Sequence, residues 1–216
     1  MRFIILLTFF ASTAVAQVRQ GTWTPSVESM RRGYSSISYW TYRDDGVEIG
    51  GGRISIEHGL PAWRPELDDP EAFDRATKGK FYRLGNNKWT TLDTNLTLEL
   101  GERRVDPGIY YLALERSAEG EWELVFVEPA AVHRKFIDSW AFVPRPTEVP
   151  VMFTVPLEHS RGSDLAKELR IELELAGDDS SRGLLWIHWG PHILTRDMKI
   201  QMVSPEFYRK TKEDSP

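Results

Sequence analysis

Cysteine is absent from all 216 residues. That excludes disulfides, thiolate zinc sites, redox dithiols, cysteine nucleophiles and lipid attachment at a cysteine. Stability must come from burial and from sheet hydrogen bonds. Basic tracts are missing as well. The 27 Lys and Arg are interspersed among 32 Asp and Glu, for a net charge of −5. Neither a nucleic-acid surface nor a polybasic membrane patch is expected from such a pattern. The one extended apolar run, near the N-terminus, is short of the roughly 20 residues a membrane helix needs. No G-x-S-x-G elbow occurs, and Gly50–Gly52 lacks the Lys-Ser/Thr that completes a phosphate loop.

What is present begins with an export pattern. Arg2 precedes the apolar stretch from Phe3 to Val15, and Ala14-Val15-Ala16 has the small-x-small form that signal peptidase cuts. The expectation is a secreted or periplasmic protein with no membrane span after signal cleavage. Residues 1–16 read as the signal peptide and 17–33 as a flexible arm. Residues 34–203 read as one β domain and 204–216 as a charged tail.

Within that domain the dominant signal is period two. Ile54 and Ile56 alternate with Arg53, Ser55 and Glu57. In the run from Thr91 to Leu100, Leu92, Leu96, Leu98 and Leu100 share one face. Leu169, Ile171, Leu173 and Leu175 alternate with Arg170, Glu172 and Glu174, the pattern of a strand with one wet face. Ile109–Glu115 and Glu121–Glu128 bracket a short loop containing Gly120 and read as a hairpin. Pro150–Glu158 reads as an edge strand because of its prolines. Asp69, Pro70 and Gly79 mark the cap, first turn and end of one short helix. Eight or nine strands are expected. The fold class is all-β: a single antiparallel β-sandwich, or a barrel-like relative of it, with one or two short helices.

Several pieces recur together in a known order: Ile54–Trp63, Ala76–Thr94, Val105–Glu115, Glu121–Phe126 and Leu184–Gly190. Within them stand Arg83, Gly85, Asn87 and Thr90, then Gly108 and Tyr110, then Trp122. This set resembles a bacterial secreted family, the domain of unknown function numbered twenty-nine eleven, over roughly residues 53–202. The resemblance implies an exported all-β domain and brings no activity, substrate or catalytic residue with it. The family usually carries Tyr-Gly where this chain has His58-Gly59, which argues against a catalytic duty for His58.

Three stretches carry candidate chemistry. In Gly183–Ile193, Leu184, Trp186 and His188 fall on one strand face and Leu185, Ile187 and Trp189 on the other. His188 and His192 are four apart, but Gly190 and Pro191 between them forbid the helix that would align them for zinc. His188 reads as a partly buried strand histidine and His192 as a loop residue. In Tyr82–Leu92, Arg83 is a forked donor, Asn87 an amide donor and Trp89 a flat platform, as a sugar ring would require. The plainer reading of that stretch is a turn, with Trp89 in the core. Glu57 and His58 are adjacent on a strand and point to opposite faces, so they cannot easily share a substrate.

These residues lead to an expected function. The protein reads as a non-catalytic binding module for an extracytoplasmic ligand: a glycan, an envelope polymer or another protein. The candidate contacts are Arg83, Asn87, Trp89, His58 and His188. No cofactor, metal ion or nucleic acid is expected. Two alternatives stay open: a secreted hydrolase, with or without metal assistance, and a structural or assembly subunit.

Overall fold

The computed structural model of the chain describes residues 31–42, 46, 48–86, 88–135, 137 and 149–202. The expected export signal at 1–16, most of the expected arm and the tail at 204–216 lie outside the described residues, as does Asn87.

Aromatic and β-branched side chains in alternation build the first layer: β1 (Arg32–Tyr42), β2 (Glu48–Gly59), β4 (Thr90–Thr94), β7 (Gly108–Arg116) and β8 (Trp122–Val127). β3 (Lys80–Arg83) pairs with β7 from Ala113 to Arg116, where β4 has already ended. Two long strands follow, β9 (Val151–Ala176) and β10 (Asp179–Gln201). β9 pairs with β8 as far as Leu157 and with β10 from Glu158 onward, so it carries the chain from the first layer into the second. β5 (Thr97–Leu100) joins β10, and β6 (Arg103–Val105) joins β5. The pairing order is β1-β2-β4-β7-β8-β9-β10-β5-β6, all antiparallel. β1 and β6 are its two ends and do not pair, so the sheet stays open and the fold is an antiparallel β-sandwich.

The core lies between the layers. Ile54, Ile56, Leu112 and Phe126 from the first meet Leu98, Ile171, Leu185 and Ile187 from the second. Full burial of each such side chain contributes about 1.5–3 kcal/mol. A smaller cluster of Phe81, Trp89, Ala113, Val125, Val127 and Val132 covers the other face of the first layer, under α2 (Pro129–Arg134).

β9 would present a bare edge opposite β10, and the first layer seals it. The N–H of Leu173 donates to Ser35 Oγ (2.9 Å), that of Ile171 to His58 Nε2 (3.3 Å) and that of Leu169 to the Pro61 carbonyl (3.0 Å). An unpaired row of strand donors invites misassembly; here alternate residues of β1, β2 and the segment after β2 satisfy it.

The short helix forms as its sequence predicts. α1 (Pro70–Thr77) is capped by Asp69, whose carboxylate accepts from the N–H groups of Glu71 and Ala72. It buries Phe73 and Thr77.

Three local readings differ from the structure. Thr91–Leu100 is not one strand: it breaks at Asn95–Leu96, and β4 and β5 lie in opposite layers. Leu92, Leu96, Leu98 and Leu100 are nevertheless all buried. The stretches around Phe153 and Ile171 are one strand, joined through an irregular segment. There β9 uses Arg161 to Arg170 where β10 uses only His188 to His192. Leu175, expected on the buried face, is exposed beside the Gly177 turn.

Candidate functional site

Below α1 the layers leave a cavity of about 310 Å³, at the small end of ligand-sized pockets. Its buried lining includes Phe73 from α1, Leu84, Leu114, Trp122, Ile187 and Leu194. Arg64, which is exposed, and Arg83, which is half-buried, also line it. Among the described residues no carboxylate does. Cavity shape and charge therefore ask for the same thing: an apolar body with a negative or strongly accepting end.

Each wall has a local cause. α1 is pinned by Arg116, itself buried, whose guanidinium donates to Asp74 (2.8 Å), to Thr77 Oγ1 (2.6 Å) and to the Gly120 carbonyl (3.1 Å). The same guanidinium lies 5.3 Å from the centre of the Phe73 ring and 5.2 Å from that of Trp122. A desolvated cation–π contact of that kind contributes on the order of 1–2 kcal/mol. Hydrogen bonds from Lys78 and Arg116 hold the Asp74 carboxyl below its ordinary range. Tyr82 donates its hydroxyl to the Ala76 carbonyl, and burial pushes the phenol up to about 12 against the pull of Arg116 and Arg64.

The segment after β2 supplies the next wall. Trp63 donates its indole N–H to Asp68 (2.8 Å) and meets Trp189 edge-on at 4.9 Å. Trp189 in turn donates to the Pro61 carbonyl (3.3 Å). The close seat of Trp63 depends on Gly190, whose φ is +62°. A Cβ at that position would lie 2.3 Å from the Trp63 ring.

His192 is the polar member of this wall. It lies in β10, not in a loop, because the strand runs straight through Gly190 and Pro191 while the extra residues of the bulge there belong to β9. Its ring stacks on Phe73 (3.7 Å between centres, 7° between planes). Its Nδ1 is 3.0 Å from Nε2 of His159. Two imidazoles in such contact share a single proton across the bond. Burial, with His159, Arg161 and Arg116 nearby, lowers the pKa of His192 to about 4; burial and the same arginines lower that of His159. Both rings are neutral at pH 7. The other nitrogen of His192, Nε2, is buried and has no hydrogen-bond partner. With His159 as the donor, His192 carries its own proton on Nε2.

The five residues singled out from sequence scatter. Arg83 lines the cavity. His58 is buried between the layers: its Nδ1 donates to the Gly59 carbonyl (2.9 Å) and its Nε2 accepts from Ile171. Burial lowers its pKa. Trp89 packs in the smaller cluster, stacked on Tyr111 at 5.1 Å. His188 stands on the far face of β10, its Nδ1 accepting from Arg170 (3.1 Å). Asn87 lies outside the described residues. Glu57 pairs with Arg32 at the surface while His58 points inward, so the two do not act together.

Sequence reasoning missed Phe73 and Trp122 as cavity residues, and it read His192 as a loop residue. The signals available were the inward stripe of α1 and the wide side chains of Ala62–Arg64 and Trp189. Among the described residues, no group of three or more His, Asp or Glu is placed to hold a metal ion. No described helix is long and apolar enough to cross a membrane. Set against family models, curated proteins and solved structures, the chain has no match.

Proposed function

We propose that this protein is an exported, non-catalytic binding domain whose inter-layer cavity seats a small amphipathic acid. The apolar body lies against Phe73, Trp122, Ile187 and Leu194, and the carboxylate sits toward Arg64 and Arg83. The carrying observation is the cavity lining: apolar side chains and two arginines, without an acid among the described residues. Each methylene moved from water into such a space contributes about 0.8 kcal/mol. The export signal and the resemblance to a secreted family support a role outside the cytoplasm. A glycan fits this cavity less well, because its hydroxyls would face hydrocarbon.

The test is calorimetric titration of the whole protein with straight-chain carboxylates from hexanoate to dodecanoate, and with decanol. Saturable binding of one equivalent, tightening with chain length until the cavity is full, supports the reading. Affinity that ignores chain length, or no binding of any member, contradicts it.

The hydrolase reading keeps one observation in its favour, the His159–His192 pair at the cavity wall. Steady turnover of a decanoyl ester, abolished in His192→Phe, would establish it in place of simple binding.

A further inference from the structure

A second site, independent of the cavity, lies on the outer face of the first layer. β1 turns Ile37 inward and Trp40 outward, where the indole is 61% exposed. Its cross-strand partner is Gly51, within the run Gly50–Gly52. A Cβ on Gly51 would lie 3.4 Å from Cε3 of Trp40, so the ring lies across a strand stripped of side chains. Beside it is an open hollow of about 380 Å³ whose lining includes Ser38, Trp40, Gly51, Arg53, Asp93 and Asn95.

The polar edge of that hollow is ordered. The Asn95 amide accepts from the Arg53 N–H (2.6 Å) and donates to the Gly51 carbonyl (3.4 Å), fixing β2 against the turn between β4 and β5. The Arg53 guanidinium stands 3.5 Å from the Asp93 carboxylate, both largely in solvent. Arginine only donates hydrogen bonds and an ionised aspartate only accepts them. Among the described lining residues these are the charged ones, and as a pair they carry no net charge. A hydroxyl both donates and accepts, and neighbouring hydroxyls on a ring match such a pair. The exposed indole offers a flat apolar face to the C–H side of the same ring.

We infer that Trp40, Arg53 and Asp93 form a surface site for a neutral saccharide ring, with Trp40 as the platform. In the sequence, a forked donor, an amide and a flat indole stand together around Trp89. The structure assembles the same residue types here, from three strands and the turn that follows β4. One exposed ring and one ion pair make a shallow site, so binding to a single sugar is weak and a polymer that presents many rings is the practical probe.

Affinity electrophoresis of the full protein tests this, with gels containing xylan, dextran or a mixed-linkage β-glucan as neutral polymers and alginate as the acidic one. The expected result is retardation in at least one neutral gel, weakened roughly tenfold or more in Trp40→Ala and clearly reduced in Asp93→Ala. Trp40→Phe should retain part of it. Circular dichroism checks that Trp40→Ala stays folded, as an exposed position should. Decanoate binding should be unchanged in Trp40→Ala, so that failure here and failure of the cavity reading are told apart. No retardation in any neutral gel, retardation only in alginate, or full retardation in Trp40→Ala would each overturn the inference.

Discussion

The imidazole of His58 accepts a hydrogen bond at Nε2 from the backbone N–H of Ile171, 3.3 Å away and 113 residues along the chain. The other ring nitrogen donates to the Gly59 carbonyl. A histidine satisfied at both nitrogens and only 2% exposed is part of the framework. It joins the edge of β9 to β2, and it fits because position 33 is glycine: a Cβ there would lie 2.4 Å from Nε2.

His58→Ala should therefore destabilise the fold by about 3 kcal/mol. The stranded Ile171 N–H accounts for about 1–3 kcal/mol of that, and the void adds to it. Urea denaturation measures it directly. Gly33→Ala should cost a similar amount by pushing the ring off Ile171. A change below about 0.5 kcal/mol in both would remove His58 from the framework.

Acid should loosen the protein well before its carboxylates titrate. His58, His159 and His192 all have lowered pKa values in the fold, His192 to about 4 from an ordinary 6.5. Below pH 6.5 the unfolded chain takes up protons that the folded one refuses. The stabilisation is complete above pH 6.5 and is lost as pH falls toward 4. Each kcal/mol lost lowers Tm by about 2–4 °C in a chain of this size. His192→Phe keeps the stack on Phe73 and removes the largest titration, so its Tm should fall less steeply between pH 6.5 and 4. Parallel curves for the two proteins would contradict the assignment.

Gly190→Ala should damage both stability and the cavity. The backbone there is left-handed, and a methyl would displace Trp63. The expected cost is about 2–4 kcal/mol from strain and repacking together, with weaker decanoate binding. Gly46→Ala also sits at positive φ but meets nothing within 4 Å. It should lose only the strain and leave decanoate affinity as it was.

Much of the fold was legible because period two is a local signal. Leu169, Ile171 and Leu173 announce their face without help from other strands, and Asp69-Pro70 announces a helix start. The layer switch at Asn95–Leu96 was hidden for a physical reason. Leu92 and Leu96 keep the same parity, so no phase slip marks the break. The extra residues of β9 opposite Gly190 were hidden because a bulge is defined only by its partner. That bulge is what turns His192 from an expected loop residue into a buried wall of the cavity. Of the candidate contacts, Arg83 reached the cavity. Trp89 did not, because a large apolar ring next to β4 gains more from burial beside Tyr111 than from standing in water.

Charge at the cavity has its own test. Replacing Arg64 and Arg83 together with alanine should weaken decanoate binding about tenfold, equivalent to about 1.4 kcal/mol, and leave decanol unaffected. Arg64 pairs with Glu66 at 3.7 Å, both side chains in solvent. Such a pair contributes little to stability, so Arg64→Ala alone should remain folded, and thermal denaturation checks that the double variant does too.

The most direct measurement is a methyl NMR titration of the whole protein with decanoate, since it reports where the chain goes as well as whether it binds. Saturable shifts centred on Leu84, Leu114, Leu169, Ile187 and Leu194, methyl-bearing residues of the cavity wall, are the predicted result. Shifts confined to exposed Leu165 and Leu175, or none at saturating ligand, would contradict the cavity as the seat of binding.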